Sequence, residues 1–445
     1  MNMSPKQGEK VRILLLWEKI AALKEMLGIH SRISDEQKAQ MDEYDLDENG
    51  EYVNKNLEKA VVRAVEEYGW SRKRAARRIA ETKRRLGITY IDYCKYDFYK
   101  FSKRKQAAAY QKIREEKQRK AEVRKEVVQR VMEITGWKYA YAQRQIQEAQ
   151  KRTGCTYTEY LIYKFYDMTP AEQDDIFLIS FSKKITDKYD TDKKFRGMLC
   201  NKAATNRFFS ECLARPWCVN TNVSFSKFCT VFTGCDKIFY KPMSLNGGRG
   251  AASFELTQEN LREVYDTLRT YPRGVVEGYV IQHPKMNALS PTAVNTVRIV
   301  TISSREEPIA TNGKMMDIPY VALKMGGADS LVDNLHGGGM VAAVDKETGV
   351  LITDAVDGMG NVYTQHPVTG TTIKGFEIPF FRESIEMVTR AIEEKNLVGY
   401  LGWDIAITED GPTLIETNTT PGVILLTMPY IAQKKGMKPL MAQYL

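Results

Sequence analysis

The chain has 445 residues, 43% hydrophobic and 27% charged, a composition that belongs to a folded globular protein of two or three domains and not to a disordered or fibrous one. No apolar run of about 18 residues or more is present, so no membrane span is expected. The seven cysteines (94, 155, 200, 212, 218, 229 and 235) show no paired spacing, which argues against zinc and for a reducing, cytoplasmic setting.

The opening stretch, MNMSPKQGEKVRILLLWEKIAALKEM, returns quickly to mixed charge and reads as a helix, not a signal peptide. DLDENGEYVNKN, residues 45–56, begins like a calcium loop with Asp45, Asp47, Asn49 and Gly50. Its twelfth position is Asn56 where a bidentate Glu is needed, so a capped polar loop is expected there. The net charge of +9 is unevenly placed: residues 63–130 hold 22 Lys/Arg and 9 Asp/Glu.

That basic region is part of an internal repeat. GWSRKRAARRIAETKRRLGITYIDYCKYDFY, 69–99, matches GWKYAYAQRQIQEAQKRTGCTYTEYLIYKFY, 136–166, at a constant offset of 67. The copies extend over about 60–101 and 127–168. Each reads as helix, glycine stop and aromatic segment. Ser71 is the expected cap of the first helix, Gly87 its stop, and Ala75, Ile79 and Leu86 its apolar stripe. The aromatic segments are expected to lock the copies together. Arg72, Arg74, Arg77, Arg78, Arg84 and Arg85 form either a solvated surface or a dock for an anionic acceptor or protein. Nucleic acid is disfavoured, because Tyr139, Tyr141, Gln143 and Gln145 replace much of the charge in the second copy.

From about 175 the texture becomes mixed α/β. CDKIFYKPMSLNGGRGAASFEL, 235–256, reads strand, glycine-rich loop, strand, without the lysine and helix of a Walker A motif. It is either an ordinary hairpin or a loop that folds over phosphates through backbone N–H groups, with Lys241 within reach. VVEGYVIQHP, 275–284, is a strand leading into an exposed segment, and AVNTVRIVTISS, 293–304, is a strand whose Arg298 seeks an anion. The loops LVDNLHGGGMVAAVD, 331–345, and TQHPVTGTTIKGFEIP, 364–379, are rich in small and polar residues; His336 and His366 within them either orient substrate or pack. An amphipathic helix follows near 382–397.

It leads into GYLGWDIAITEDGPTLIETNTTPG, 399–422, a hairpin with a three-residue Glu409-Asp410-Gly411 loop between Thr408 and Pro412. This register sets Asp404 opposite Glu416, with Asn418 on the same face. Paired like charges destabilise a sheet, and a divalent cation reverses the penalty. Three hard oxygen ligands suit Mg²⁺ beside nucleotide phosphates. Trp403, Ile405, Ile407 and Ile415 are expected on the buried face.

EGYVIQHP, NTVRIVTI, VDNLHGGG, HPVTG and GWDIAITEDGPTLIETNTTPG, in that order, resemble the ATP-grasp superfamily and within it the sugar-transfer-associated ATP-grasp proteins. The resemblance covers about 175–430. It implies an α+β, ATP-grasp fold: antiparallel sheets with helices and a mobile β-loop-β lid, within a catalytic domain at 175–445 whose lid subdomain is about 215–280, preceded by a helical region at 1–174. It implies ATP and Mg²⁺ as cofactors, with nucleotide held by Lys202, Lys241, Asn246, Gly247, Gly248 and Gly250. Glu277, Gly278, Tyr279 and Val280 would form the adenine hinge, Glu277 accepting from the exocyclic amine. Arg298, Lys241 and Asn334 would serve catalysis, and Asp404, Glu416 and Asn418 the metal. Relatives often carry an arginine before the Asn-Leu-x-Gly-Gly turn; Lys324 stands at the nearest place here. The implied reaction is ATP-dependent joining of a carboxylate and an amine through an acyl-phosphate, for instance an amino acid and an acidic sugar in polysaccharide assembly. A kinase acting on a hydroxyl or phosphate, and a non-catalytic scaffold for anionic partners, are the alternatives.

Overall fold

The computed structural model describes residues 55–190, 192–243, 250–309, 313–327 and 333–445. The calcium-loop-like stretch lies almost wholly outside these residues, as do Asn246, Gly247 and Gly248. Two compact units divide the chain, Met1–Ala121 and Glu122–Leu445. Among the described residues no helix is long and apolar enough to cross a membrane.

The first unit contains α1 (Lys55–Tyr68), α2 (Arg72–Leu86), α3 (Tyr90–Lys95) and the start of α4 (Lys103–Thr135). Ser71 accepts from the Arg74 N–H and caps α2, while Gly87, at φ 66°, ends it in the left-handed conformation that costs glycine little. Ala75 and Ile79 are fully buried with Ala60, Val61, Ala64, Tyr93, Phe98 and Tyr99.

The second unit opens with the second repeat: the end of α4, α5 (Tyr139–Thr153) and α6 (Tyr157–Ile162). The duplication is visible atom by atom and reaches further than its aromatic segments. In the first copy Arg85 donates to Gln106 Oε1 and Gln106 Nε2 donates to Phe98 O. At the same offset Arg152 donates to Gln173, and Gln173 Nε2 to Phe165 O. Thr89 and Thr156 cap α3 and α6, and Asp97 and Lys164 share a left-handed φ of 51° and 52°.

The two aromatic sets lie in different cores. The first set closes the helical core just described. The second set, Tyr160, Tyr163 and Phe165, closes a different core with Ala322, Val341, Leu425 and Met428 of the later region. Lys164 Nζ adds a bond to Gly360 O at 2.8 Å. The second copy is therefore part of the compact unit that holds the sheets, whereas the sequence placed a boundary near 174.

That unit also holds α7 (Ile179–Tyr189), α8 (Lys202–Phe208) and two antiparallel sheets. The smaller has order β1-β4-β2-β3, from Trp217–Val219, Lys237–Pro242, Ala252–Glu255 and Gly274–Gly278 taken as β1 to β4. The larger has order β11-β10-β5-β6-β7-β8-β9, where β5 is Thr296–Ser303, β6 Met316–Met325, β7 Met340–Val344, β8 Ala355–Asp357, β9 Val362–Tyr363, β10 Gly399–Thr408 and β11 Gly411–Asn418. Helix α9 (Phe381–Glu394) buries Met387, Val388, Ala391 and Ile392 among Val297, Ile299, Trp403 and Ile405 on one face of this sheet. Trp403 meets Phe209 edge-on at 5.1 Å and donates to Thr301 Oγ1 at 3.0 Å, so its polar N–H is satisfied inside the core. Covering that face leaves the alternate residues, Arg298, Lys324, Asp404 and Glu416, on the other.

The β10–β11 hairpin keeps the expected Asp404–Glu416 pair by a different route. Thr408 pairs with Gly411, so the loop has two residues and not three. The register runs to Ile405–Leu414, then shifts, and Asp404 pairs with Glu416. Ile415 is the extra residue of a β-bulge, half-buried and without a cross-strand partner. The bulge makes up the residue that the shorter loop removes.

Candidate functional site

Two clusters of charged side chains form this site. The first lies on the larger sheet. Arg298 is directly across from Asp404 and spans its carboxylate, Nε to Oδ1 at 2.5 Å and Nη2 to Oδ2 at 2.9 Å. Lys324 Nζ reaches Oδ2 of the same carboxylate at 3.0 Å and Asp333 Oδ1 at 3.3 Å. Thr296 donates its hydroxyl to Asp333 Oδ2. All five side chains are buried. Burial pushes the Asp404 pKa up, but Arg298 and Lys324 overcome it and hold the carboxyl well below the usual range. Lys324 is raised despite its burial, by Asp333 and Asp404.

Arg298 needs room beside Asp404, and a glycine supplies it. A Cβ at Gly402 would lie 3.1 Å from Arg298 Cδ and 3.4 Å from its Nε and Nη1. Gly327 and Gly339 do the same for the β6–β7 connection. A Cβ on Gly327 would stand 1.9 Å from Gly338 O, and one on Gly339 2.5 Å from Asp333 O. Only glycine at 327 and 339 permits these close backbone approaches beside Asp333.

Asn418 completes the first cluster. Its Nδ2 lies 3.4 Å from Asp404 Oδ2 and 3.3 Å from Glu416 Oε1. Among the described residues no group of three or more His, Cys, Asp or Glu could hold a metal. The donor set here is two carboxylates and an amide. All three converge, and turning the amide over presents Oδ1 at the same point. Three hard oxygens with half-buried Glu416 and Asn418 at the open edge fit Mg²⁺. Asp404 is the most committed of the three, because Arg298 and Lys324 already bond both its oxygens.

The second cluster lies on the smaller sheet. Glu277 of β4 is 3% exposed. Its Oε1 accepts from Asn206 Nδ2 at 2.8 Å, and its Oε2 from Arg215 Nε and Nη2 at 3.1 and 2.9 Å and pairs with Lys241 Nζ at 2.8 Å. Burial raises its pKa, yet Arg215 and Lys241 outweigh that and hold it at about 2. Both carboxylate oxygens have protein donors, and the side chain is paired with Lys241. Past it, Gly278 and Tyr279 use their N–H groups on Pro216 O and Lys237 O, Val280 is half-buried, and Ile281 is 78% exposed.

Lys202, the first residue of α8, joins the clusters. Its pKa is lowered by burial and by Lys241, while Glu416 and Glu277 act the other way. Gly250 is exposed at φ 71°. Asn334 follows Asp333, half-buried, its carbonyl accepting from the Gly337 and Gly339 N–H groups. His366 packs: Val368 N–H donates to its Nδ1, so its Nε2–H donates to Gly326 O at 2.8 Å. His283 caps a short helix through Nδ1.

Arg215, Asn206, Asp333 and Thr296 are the members that sequence reading missed. Asp333 stood inside a quoted motif, and its neighbour Asn334 drew the attention. Arg215 and Asn206 lie outside any motif, and only a buried glutamate on a strand hinted that a cation must meet it.

A smaller antiparallel sheet bearing the β2–β3 hairpin and a larger sheet that carries carboxylates and cations together hold these residues. Residues 260–443 match the model of the sugar-transfer associated ATP-grasp family. The chain matches none of the curated proteins. Among solved structures it is similar to an ADP complex of N5-carboxyaminoimidazole ribonucleotide synthetase (11% identity, 51% of this chain and 46% of that one, TM-score 0.31). It is also similar to D-alanine–D-alanine ligase from Bacillus anthracis (12% identity, 56% and 66%, TM-score 0.33) and D-alanyl-alanine synthetase A from Vibrio cholerae (14% identity, 55% and 65%, TM-score 0.31). The chain spans less than two thirds of each of these relatives.

Proposed function

We propose that the chain is an ATP-dependent carboxylate–amine ligase that forms an amide through an acyl-phosphate. The observation that carries this reading is the pairing of a cationic cluster, Lys202, Lys241 and Arg215 around Glu277, with the Asp404–Glu416–Asn418 oxygens. In the proposed reaction a carboxylate oxygen of the first substrate attacks the γ-phosphorus of ATP, and the bond to the β–γ bridging oxygen breaks to release ADP. The amine of the second substrate then adds to the acyl carbon, loses a proton, and phosphate departs. No protein nucleophile is needed; positioning and charge compensation suffice.

Lys202 and Lys241 hold phosphate oxygens in this scheme, and Arg298 faces the transferred group while staying on Asp404. Asp404, Glu416 and Asn418 would hold Mg²⁺, which would supply neutralisation of the polyphosphate charge. Asn334 borders the acceptor side. The hinge falls to the backbone of Tyr279 and Val280, with Ile281 as an apolar surface for the base. Gly250 serves the phosphate side of the nucleotide. The acceptor is an acidic small molecule, an amino acid or a carboxylated sugar. The exposed Arg72 and Arg77 of the basic first unit suit an anionic partner.

Product analysis tests the reading. The full chain is incubated with MgATP and panels of carboxylates and amines, with ADP and phosphate measured and amides sought by mass spectrometry. A ligase releases phosphate only when both organic substrates are present. Phosphate retained on a single acceptor establishes the kinase instead, and no ATP consumption with any pair points to a scaffold.

A further inference from the structure

A buried arginine to which the proposed chemistry gives no contact with substrate ties the two sheets together. Arg215 precedes β1, and its side chain is 5% exposed. On one side its Nε and Nη2 donate to Glu277 of β4. On the other its Nη1 donates to Leu414 O at 2.6 Å and lies 3.3 Å from Thr413 Oγ1, both on β11. The same threonine hydroxyl accepts from the Ala214 N–H at 2.9 Å. A guanidinium is a rigid planar fork, so the positions of the two sets of partners constrain each other.

Both ends lead straight to the clusters already described. Glu277 Oε2, which receives Arg215, also receives Lys241. Leu414, whose carbonyl receives Arg215, is the last paired residue before the Ile415 bulge, and Glu416 follows. We propose that Arg215 is the pin between the sheets: a positioning residue that sets Lys241 at a fixed distance from Glu416, Asp404 and Asn418. Only the consequence for nucleotide rests on the function proposed above.

Charge balance favours positioning over neutralisation. Glu277 already has Lys241, so one carboxylate has its cation. A second buried cation carries a desolvation cost, which the bonds to β11 offset. A lysine at 215 could face Glu277 equally well. What it cannot do is hold Glu277 and the Leu414 carbonyl together.

Arg215→Lys in the full chain tests this. Hydrogen exchange without nucleotide is followed in peptides covering 237–242 and 411–418, and MgATP binding is measured by calorimetry. The pin predicts that exchange rises in both strands together, while the core around Trp403 stays protected, and that MgATP binding weakens about tenfold, the scale of one lost charged hydrogen bond. A folded variant with unchanged MgATP affinity, or with faster exchange in 237–242 alone, overturns it. If Arg215→Lys does not fold, Thr413→Val removes a single hydroxyl beneath the pin. There the same paired loosening and a two- to fivefold weakening, roughly, are expected, and no change overturns the proposal. If the native chain fails to bind MgATP, the nucleotide reading falls, and the exchange result still decides the pin.

Discussion

Glu277→Gln isolates the charge at the centre of the smaller cluster. The substitution keeps the shape and removes only the anion that Arg215, Lys241 and Asn206 surround. The carboxyl pKa falls from 4.5 to about 2 on folding. At 1.36 kcal/mol per unit, that depression is worth about 3 kcal/mol of stability at neutral pH. The folded pKa is depressed, so the contribution is fully present well above the unfolded value and is lost as pH falls toward 2. Glu277→Gln should therefore be less stable than the native chain by about 3 kcal/mol at pH 7, and the gap should narrow by about 1 kcal/mol at pH 3.5. Urea unfolding followed by tryptophan fluorescence at the two pH values measures it, analysed on the transition of the sheet-containing unit because a chain with two units need not unfold in one step. A gap below about 1 kcal/mol at pH 7, or one that does not change with pH, would refute the reasoning that this carboxylate is held ionised by its neighbours.

The two carboxylates of the hairpin should separate. Glu416→Gln, at a half-buried residue bonded to Asn418, should leave the melting temperature within about 2 °C while turnover falls about a hundredfold or more, whereas Asp404→Asn strands Arg298 and Lys324 in the core and should cost about 3–5 kcal/mol, read by calorimetry and steady-state assays. In the first unit, Arg78 donates to Phe101 O at 3.0 Å and lies over Trp70 at 4.6 Å, so Arg78→Gln should destabilise that unit by about 1 kcal/mol and Arg77→Gln, at an exposed residue, should not; equal effects in thermal unfolding would contradict the assignment. Saturating MgATP should slow hydrogen exchange in β2 and β3, and identical exchange despite measured binding would argue against closure of that hairpin over nucleotide.

The hairpin shows what a sequence discloses and what it does not. Period-two alternation brought Asp404, Glu416 and Asn418 to one face because side-chain direction follows chain position directly. The loop length was misjudged by one residue, since Gly411 ends the turn at φ 118° and the bulge at Ile415 restores the pairing. Alternation cannot detect two compensating changes. The repeat was legible as helix, stop and aromatic segment, with its caps in place. Its aromatic partners were not, because a buried tyrosine looks the same whether a sister copy or a sheet covers it. Arg215 escaped for a related reason: it acts through residues distant in sequence, and burial of a cation becomes informative only when its partner is known.

Charge bookkeeping across the two clusters leads to a last prediction. Asp404 and Asp333 balance Arg298 and Lys324, and Glu416 has no paired cation among the ion pairs of this cluster. On the other side Glu277 faces both Arg215 and Lys241, with Lys202 near enough to feel Lys241 and Glu416. A bare polyphosphate meets favourable lysines and an unfavourable Glu416. A bare divalent cation meets the reverse. Only a metal carried on a polyphosphate suits both, so under the proposed function the two should bind cooperatively. Calorimetry with Mg²⁺ alone, ATP in excess chelator, and MgATP compares the three cases. MgATP should bind at least about tenfold more tightly than ATP without metal, a coupling of about 1.4 kcal/mol. Glu416→Gln should shrink that ratio by improving the binding of metal-free ATP. Equal affinity for ATP with and without Mg²⁺ in the native chain would place Glu416 and its neighbours outside the nucleotide site.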